Sequence, residues 1–164
     1  RTISFCFNGA DINAYRFTAT VESNTAIKLS WLPYGNLPVV IAYSTDTVFG
    51  TPTNAEYNDG ETLEGGGTVI YAGNGTNFTH QDLNAEQTYY YKIFTRIDNT
   101  PTWSNGIVIS ATTPCQGINV FPYHESFENG EMPHCWQTNS ADDSISWTIE
   151  AGDNVTPIYG NHCL

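Results

Sequence analysis

The sequence predicts an all-β fold, an antiparallel sandwich of short strands. Three observations predict it. The first is the stretch Leu83 to Thr95, LNAEQTYYYKIFT, a leucine and a turn followed by a run of aromatic and β-branched residues suited to a buried strand. Leu83 and Tyr89 stand six residues apart across that turn, the spacing of a tyrosine corner, in which a tyrosine near the start of a sandwich strand bonds to upstream backbone. The second is a series of further short alternating or apolar segments, each closed by Gly, Pro or Asn. The third is that no segment shows a convincing helical period.

In chain order, Arg1 to Ile12 alternates, with Ile3, Phe5 and Phe7 on one face and Thr2, Ser4 and Cys6 on the other. Residues 1–14 are expected to be an N-terminal strand or the tail of a preceding module. Tyr15 to Val21 alternates again, and Ala26 to Leu32 sets Ile27, Leu29 and Trp31 on one face. Pro33 and Gly35-Asn36 punctuate the chain before Val39 to Ser44, a more continuously apolar strand. Thr45 to Gly67 is a long Gly/Asn/Thr/Pro-rich connection, and loops of this length tend to be functional or to wrap the surface. Strands are then expected at Thr68 to Ala72, Asn77 to His80, Tyr89 to Thr95 and Ile107 to Thr112. Pro114 cannot donate to a ladder and suits a joint between modules.

The totals narrow the function. The chain has 164 residues, enough for one large or two small domains with a sizeable core. Charged residues are only 13%, and solubility falls to Asn, Thr, Ser and Gly. Acids outnumber bases 17 to 5, for a net charge of −12. Five scattered cations cannot assemble a basic patch, so nucleic acid and anionic membranes are poor partners. No run approaches the ~18 apolar residues of a membrane span. The opening RTISFCF has no apolar core of secretory length, so the chain reads as a mature or excised fragment. Four cysteines, Cys6, Cys115, Cys135 and Cys163, point to an oxidising, extracellular setting, secreted or at the cell surface, and allow three pairings.

AIKLSW, VVIAYST, FGTP, GGGTVIYAG, TYYYKIFT and TWSNG through ATT together resemble an immunoglobulin-like sandwich of the fibronectin type III kind, in the variant of secreted multidomain proteins of Bacteroidetes-type bacteria. The resemblance covers residues 15–113. Trp31 falls at its strand-B tryptophan and Leu83 and Tyr89 at its tyrosine corner. From Val120 to Trp136, VFPYHESFENGEMPHCW, and again at Ser146 to Ile149, the chain resembles the opening strands of the MAM-like jelly-roll modules called cleaved adhesin or choice-of-anchor J domains. Residues 115–164 are therefore expected to be a partial, jelly-roll-like β segment.

Candidate sites follow from both readings. Cys115 and Cys135 flank the signature strand and are the favoured disulfide, closing a loop of about 21 residues worth roughly 3 kcal/mol by chain entropy. Cys6 and Cys163 are the complement. His134-Cys135 and His162-Cys163 fail as a zinc set, because neighbours on a strand face opposite sides. His124 to Glu128 reads HExxE rather than HExxH and lies in an extended segment, so no catalytic site is expected there. The resemblance implies that Glu128 ligates a structural calcium, and Asn129, Asp142 and Asp143 add oxygen ligands nearby. Thr47 in Asp46-Thr47-Val48 and Ser144 in Asp143-Ser144-Ile145 look like short bacterial O-glycosylation motifs. Tyr34, Tyr57 and Trp103 are loop aromatics able to stack on sugar rings, or simply packed at the sandwich edge.

No G-x-S-x-G, no helix-opening glycine loop and no supported Cys/His pair is present, and no enzyme is expected. The expected role is a non-catalytic spacer or adhesion module. Its partners would be other domains of the same polypeptide, and glycans or host and cell-surface proteins. The alternative is a carbohydrate- or protein-binding accessory module of a secreted peptidase or glycoside hydrolase.

Overall fold

The structure, a computed structural model, describes residues 12–97, 101–123, 125, 127 and 130–136, together with the backbone of two short strands near the C-terminus. Contacts divide the chain into two compact units, Arg1–Gln116 and Gly117–Leu164.

The first unit is an antiparallel two-sheet sandwich resembling fibronectin type III domains, with no helix among the described residues. Its strands are β1 (Tyr15–Ser23), β2 (Ala26–Leu32), β3 (Val39–Ser44), β4 (Thr68–Gly73), β5 (Asn77–His80), β6 (Thr88–Ile97), β7 (Thr102–Trp103) and β8 (Ile107–Thr112). One sheet has the order β1-β2-β5. The other runs β4-β3-β6, with β7 and β8 paired in succession along β6. The two-residue β7, which the sequence reading left as loop, is held by a Ser104 side chain that accepts from the Thr95 amide at 2.9 Å. A bulge near Arg16, at φ 52°, breaks the β1–β2 register between Tyr15 and Thr18.

The core between the sheets follows from the alternation of β2. Ile27, Leu29 and Trp31 are buried against Val39 and Ile41 of β3 and Tyr89, Tyr91 and Ile93 of β6. Trp31 meets the edge of Tyr71 with centroids 5.0 Å apart. The Tyr89 hydroxyl accepts a hydrogen bond from the Asn84 amide at 2.9 Å, completing the tyrosine corner. Between the sheets His80 of β5 packs edge-on to Tyr43 at 4.5 Å, and its Nδ1 lies 3.2 Å from the Tyr91 hydroxyl. Burial holds His80 below its ordinary value, against the opposing pull of Asp59 and Asp82. Burial likewise drives the Tyr91 hydroxyl well above the tyrosine range, helped by Tyr89 and Tyr43.

In the second unit the described strands are β9 (Glu150–Ala151) and β10 (His162–Cys163), an antiparallel pair. Trp136 stacks at 5.9 Å from both Tyr123 and Phe127. Phe121 is 76% exposed. The expected first strand at residues 1–11 lies outside the described residues, as does most of the jelly-roll-like segment.

Candidate functional site

The feature that the strand pattern alone did not foretell is a second core on the outer face of the β4-β3-β6 sheet. Successive side chains of a strand face opposite ways. With Val39 and Ile41 turned inward, Val40 and Ala42 turn outward, joined by Val69 and Phe94. Bare, that face would expose a contiguous apolar patch. The Thr45 to Gly67 connection covers it with Phe49, Tyr57 and Leu63.

Backbone bonds hold the cover down. Gly50 donates to the Gly66 carbonyl at 2.8 Å, Leu63 to Gly67 at 2.9 Å, and Val69 to Glu61 at 2.8 Å. Gly67, at φ 87°, takes a left-handed conformation that suits glycine, and a Cβ there would press on the Phe49 ring at 2.9 Å. Tyr57 drives its hydroxyl back into its own loop, accepting from the amides of Thr53 at 2.7 Å and Asn54 at 3.1 Å. Trp103 reaches over from β7 and donates its indole N–H to the Asn54 carbonyl at 2.9 Å. Arg96, near the end of β6, donates from Nη1 to the Ala55 carbonyl at 2.6 Å.

Where the loop arches between these anchors it leaves a cleft of about 260 Å³ over Val39 and Val40. Arg96, Trp103, Tyr57, Glu56 and Asn58 supply its walls. The Arg96 Nε is buried with no acceptor. Asn58 spends its amide on Glu61 at 2.8 Å. Among the described lining residues, Glu56 is the one carboxylate.

The sequence-predicted residues distribute as follows. Tyr57 and Trp103 come together, rings edge-on at 6.0 Å, beside the cleft. Of the two readings of Tyr57, stacking aromatic or packed edge residue, its ring takes the packed position, buried with Val40 and Phe94. Tyr34 stands elsewhere, exposed on the β2–β3 connection against Tyr15 at 6.1 Å. Thr47 is exposed at a turn in which the Asp46 carboxylate accepts from the Val48 amide and the Ser44 hydroxyl, both at 2.8 Å. Those two donors hold the Asp46 carboxyl below its ordinary value. Cys115 and Cys135 are both disulfide-bonded, so neither offers a thiolate to a metal. Glu125 accepts from the Tyr123 hydroxyl at 3.2 Å and the Phe127 amide at 2.9 Å. Glu128, Asn129, Asp142, Asp143, Ser144, Cys6 and the side chain of Cys163 lie outside the described residues.

Arg96, Glu56 and Asn58 were missed by sequence reasoning. The available signal was the uninterrupted apolar run of β3, VVIA, which already calls for burial of both faces and hence for a covering loop.

No family model matches the chain, and no curated protein matches it. Among solved structures it is similar to the fibronectin type III domain of human collagen alpha-1(XX) chain, with 14% identity over 66% of this chain and 90% of that one and a TM-score of 0.48. The sixth fibronectin type III domain of human fibronectin type III domain containing protein 3 gives 17% identity, 66% and 90% coverage and a TM-score of 0.46. A β-1,2-glucanase from Parabacteroides distasonis gives 17% identity over 64% of this chain but 13% of its own length, with a TM-score of 0.46. Likenesses at this level carry no functional argument, and the architecture rests on the strand order and register given above.

Proposed function

We propose that the chain is a non-catalytic spacing and adhesion module of a secreted or cell-surface multidomain protein, of the Bacteroidetes-type class that its motifs resemble. The observation that carries this reading is the placement of the module's entry and exit. The chain enters beside Asn13 and Ala14, where Gly106 donates to the Asn13 side chain at 3.1 Å and Ala14 donates to Thr95 at 3.0 Å. It leaves at Thr113, whose amide donates to Gln87 at 3.1 Å, beside the Leu83 to Thr25 bond at the far end of β1. Both β1 and β8 therefore run from the entry end to the exit end. Nine residues of β1 at ~3.3 Å each separate the two ends by about 30 Å. A module built this way sets its own entry and exit apart by the length of β1.

The disulfide-bonded cysteines support an oxidising, extracellular setting. Partners are other domains of the same polypeptide, with cell-surface glycans or proteins as the adhesive targets. Pulled between residues 12 and 113 in single-molecule force spectroscopy, the module should unfold in one discrete step. Gradual extension without a force peak would reject the spacer role, and turnover in a peptidase or glycosidase panel would reject the non-catalytic one.

A further inference from the structure

The cleft over Val39 and Val40 deepens the adhesive part of that reading and rests on its glycan target, whereas the spacer role is tested separately by force spectroscopy. We propose that the cleft is a binding subsite for a single neutral sugar ring. Its size sets the first bound. At about 260 Å³ it lies just under the ~300 Å³ at which small-molecule clefts begin, so one ring fits and an oligosaccharide would have to extend out of it.

Its chemistry sets the second. Arg96 commits one Nη1 donor to Ala55 and buries its Nε away from solvent, so its remaining Nη donors are what it can offer a ligand. Across the cleft, the exposed Glu56 carboxylate is an acceptor only, and Asn58 retains its side-chain oxygen once its amide is spent on Glu61. Donors and acceptors thus line one small space side by side, and a polyol is the ligand class whose every hydroxyl both donates and accepts. The half-buried Trp103, backed edge-on by the buried Tyr57, supplies the aromatic surface against which the C–H face of a sugar ring packs.

Charge sets the third. An anionic ligand would meet Glu56 at the wall and a chain of net charge −12 on approach, with Arg96 the sole cation among the described lining residues. A neutral ring is indifferent to that field.

The test is a titration of the ¹⁵N-labelled chain with methyl pyranosides of glucose, galactose, mannose and N-acetylglucosamine, with glucuronate as the charged arm. At least one neutral glycoside should shift the Trp103 indole N–H saturably, with a dissociation constant in the millimolar range expected of so small a ligand. Glu56→Gln, at an exposed side chain, should preserve the spectrum of the fold and weaken binding about tenfold. Arg96→Ala should abolish it, and the same spectra report whether that variant keeps its fold. The proposal is overturned if no neutral glycoside shifts Trp103, if glucuronate alone binds, or if Glu56→Gln leaves the affinity unchanged.

Discussion

The amide of Asn84 donates to the hydroxyl of Tyr89 at 2.9 Å, while the carbonyl of Asn84 accepts from the Thr113 hydroxyl at 2.6 Å. One residue of the turn before β6 is therefore clasped by the strand it introduces and by the residue at which the module ends. Tyr89→Phe keeps the ring and removes one half of the clasp. It should cost about 1–3 kcal/mol, toward the lower end because the bond is only part-buried. Urea denaturation checks this, and a variant as stable as the parent would show that the corner contributes nothing.

Trp31 is 2% exposed, yet its indole N–H finds no acceptor. Trp31→Ala should cost about 3–5 kcal/mol through the cavity it opens between the sheets. Trp31→Phe loses less volume and also removes an unsatisfied buried donor. It should therefore cost clearly less than the alanine change in the same denaturation series. Equal losses would mean that the phenyl ring recovers none of the packing and that relief of the orphaned donor contributes nothing.

Gly50 sits where the loop over the outer face crosses itself, and a Cβ there would collide with the Glu64 carbonyl. Gly50→Ala should lift the cover from Val40, Ala42 and Phe94 at a cost of about 1–3 kcal/mol. Hydrogen exchange should locate the loss at Leu63 and Val69, whose amides donate to Gly67 and Glu61. Uniform loss of protection across β2 and β5 instead would contradict two separate cores.

The pH dependence of stability includes a contribution from His80, whose folded pKa lies below the ordinary histidine value of 6.5 because of burial. A depressed histidine makes the unfolded chain the stronger proton binder, so this contribution is fully present above pH 6.5. It is lost as pH falls from there through the folded value. His80→Phe should flatten that part of the profile relative to the parent, and the difference between the two isolates it from the carboxylates. Parallel profiles between pH 5 and 7 would assign the loss to other groups.

Thiol labelling of the denatured, unreduced chain should leave Cys115 and Cys135 unmodified, since both are disulfide-bonded. Reduction should render both reactive. Labelling before reduction would undo the extracellular argument along with the bridge.

Much of the sandwich was determined by sequence alone, because a strand with one buried face writes its orientation into a period of two. AIKLSW placed Ile27, Leu29 and Trp31 in the core, and the Leu83 to Tyr89 spacing placed the corner. Strand limits such as Ala26–Leu32 and Ile107–Thr112 coincide with the turn residues that end them. The outer core and its cleft were decided by tertiary structure. Thr45 to Gly67 has no period, so nothing local says whether Tyr57 points to solvent or onto Val40 and Phe94. That choice is made by the apolar area of β3 and β6 that must leave water, and it brings Ala55 to Arg96, 41 residues away, and Asn54 to Trp103, 49 away. Only once the loop is drawn down do Glu56, Asn58 and Arg96 face one another. Their meeting is a consequence of long-range burial, which no window of sequence contains.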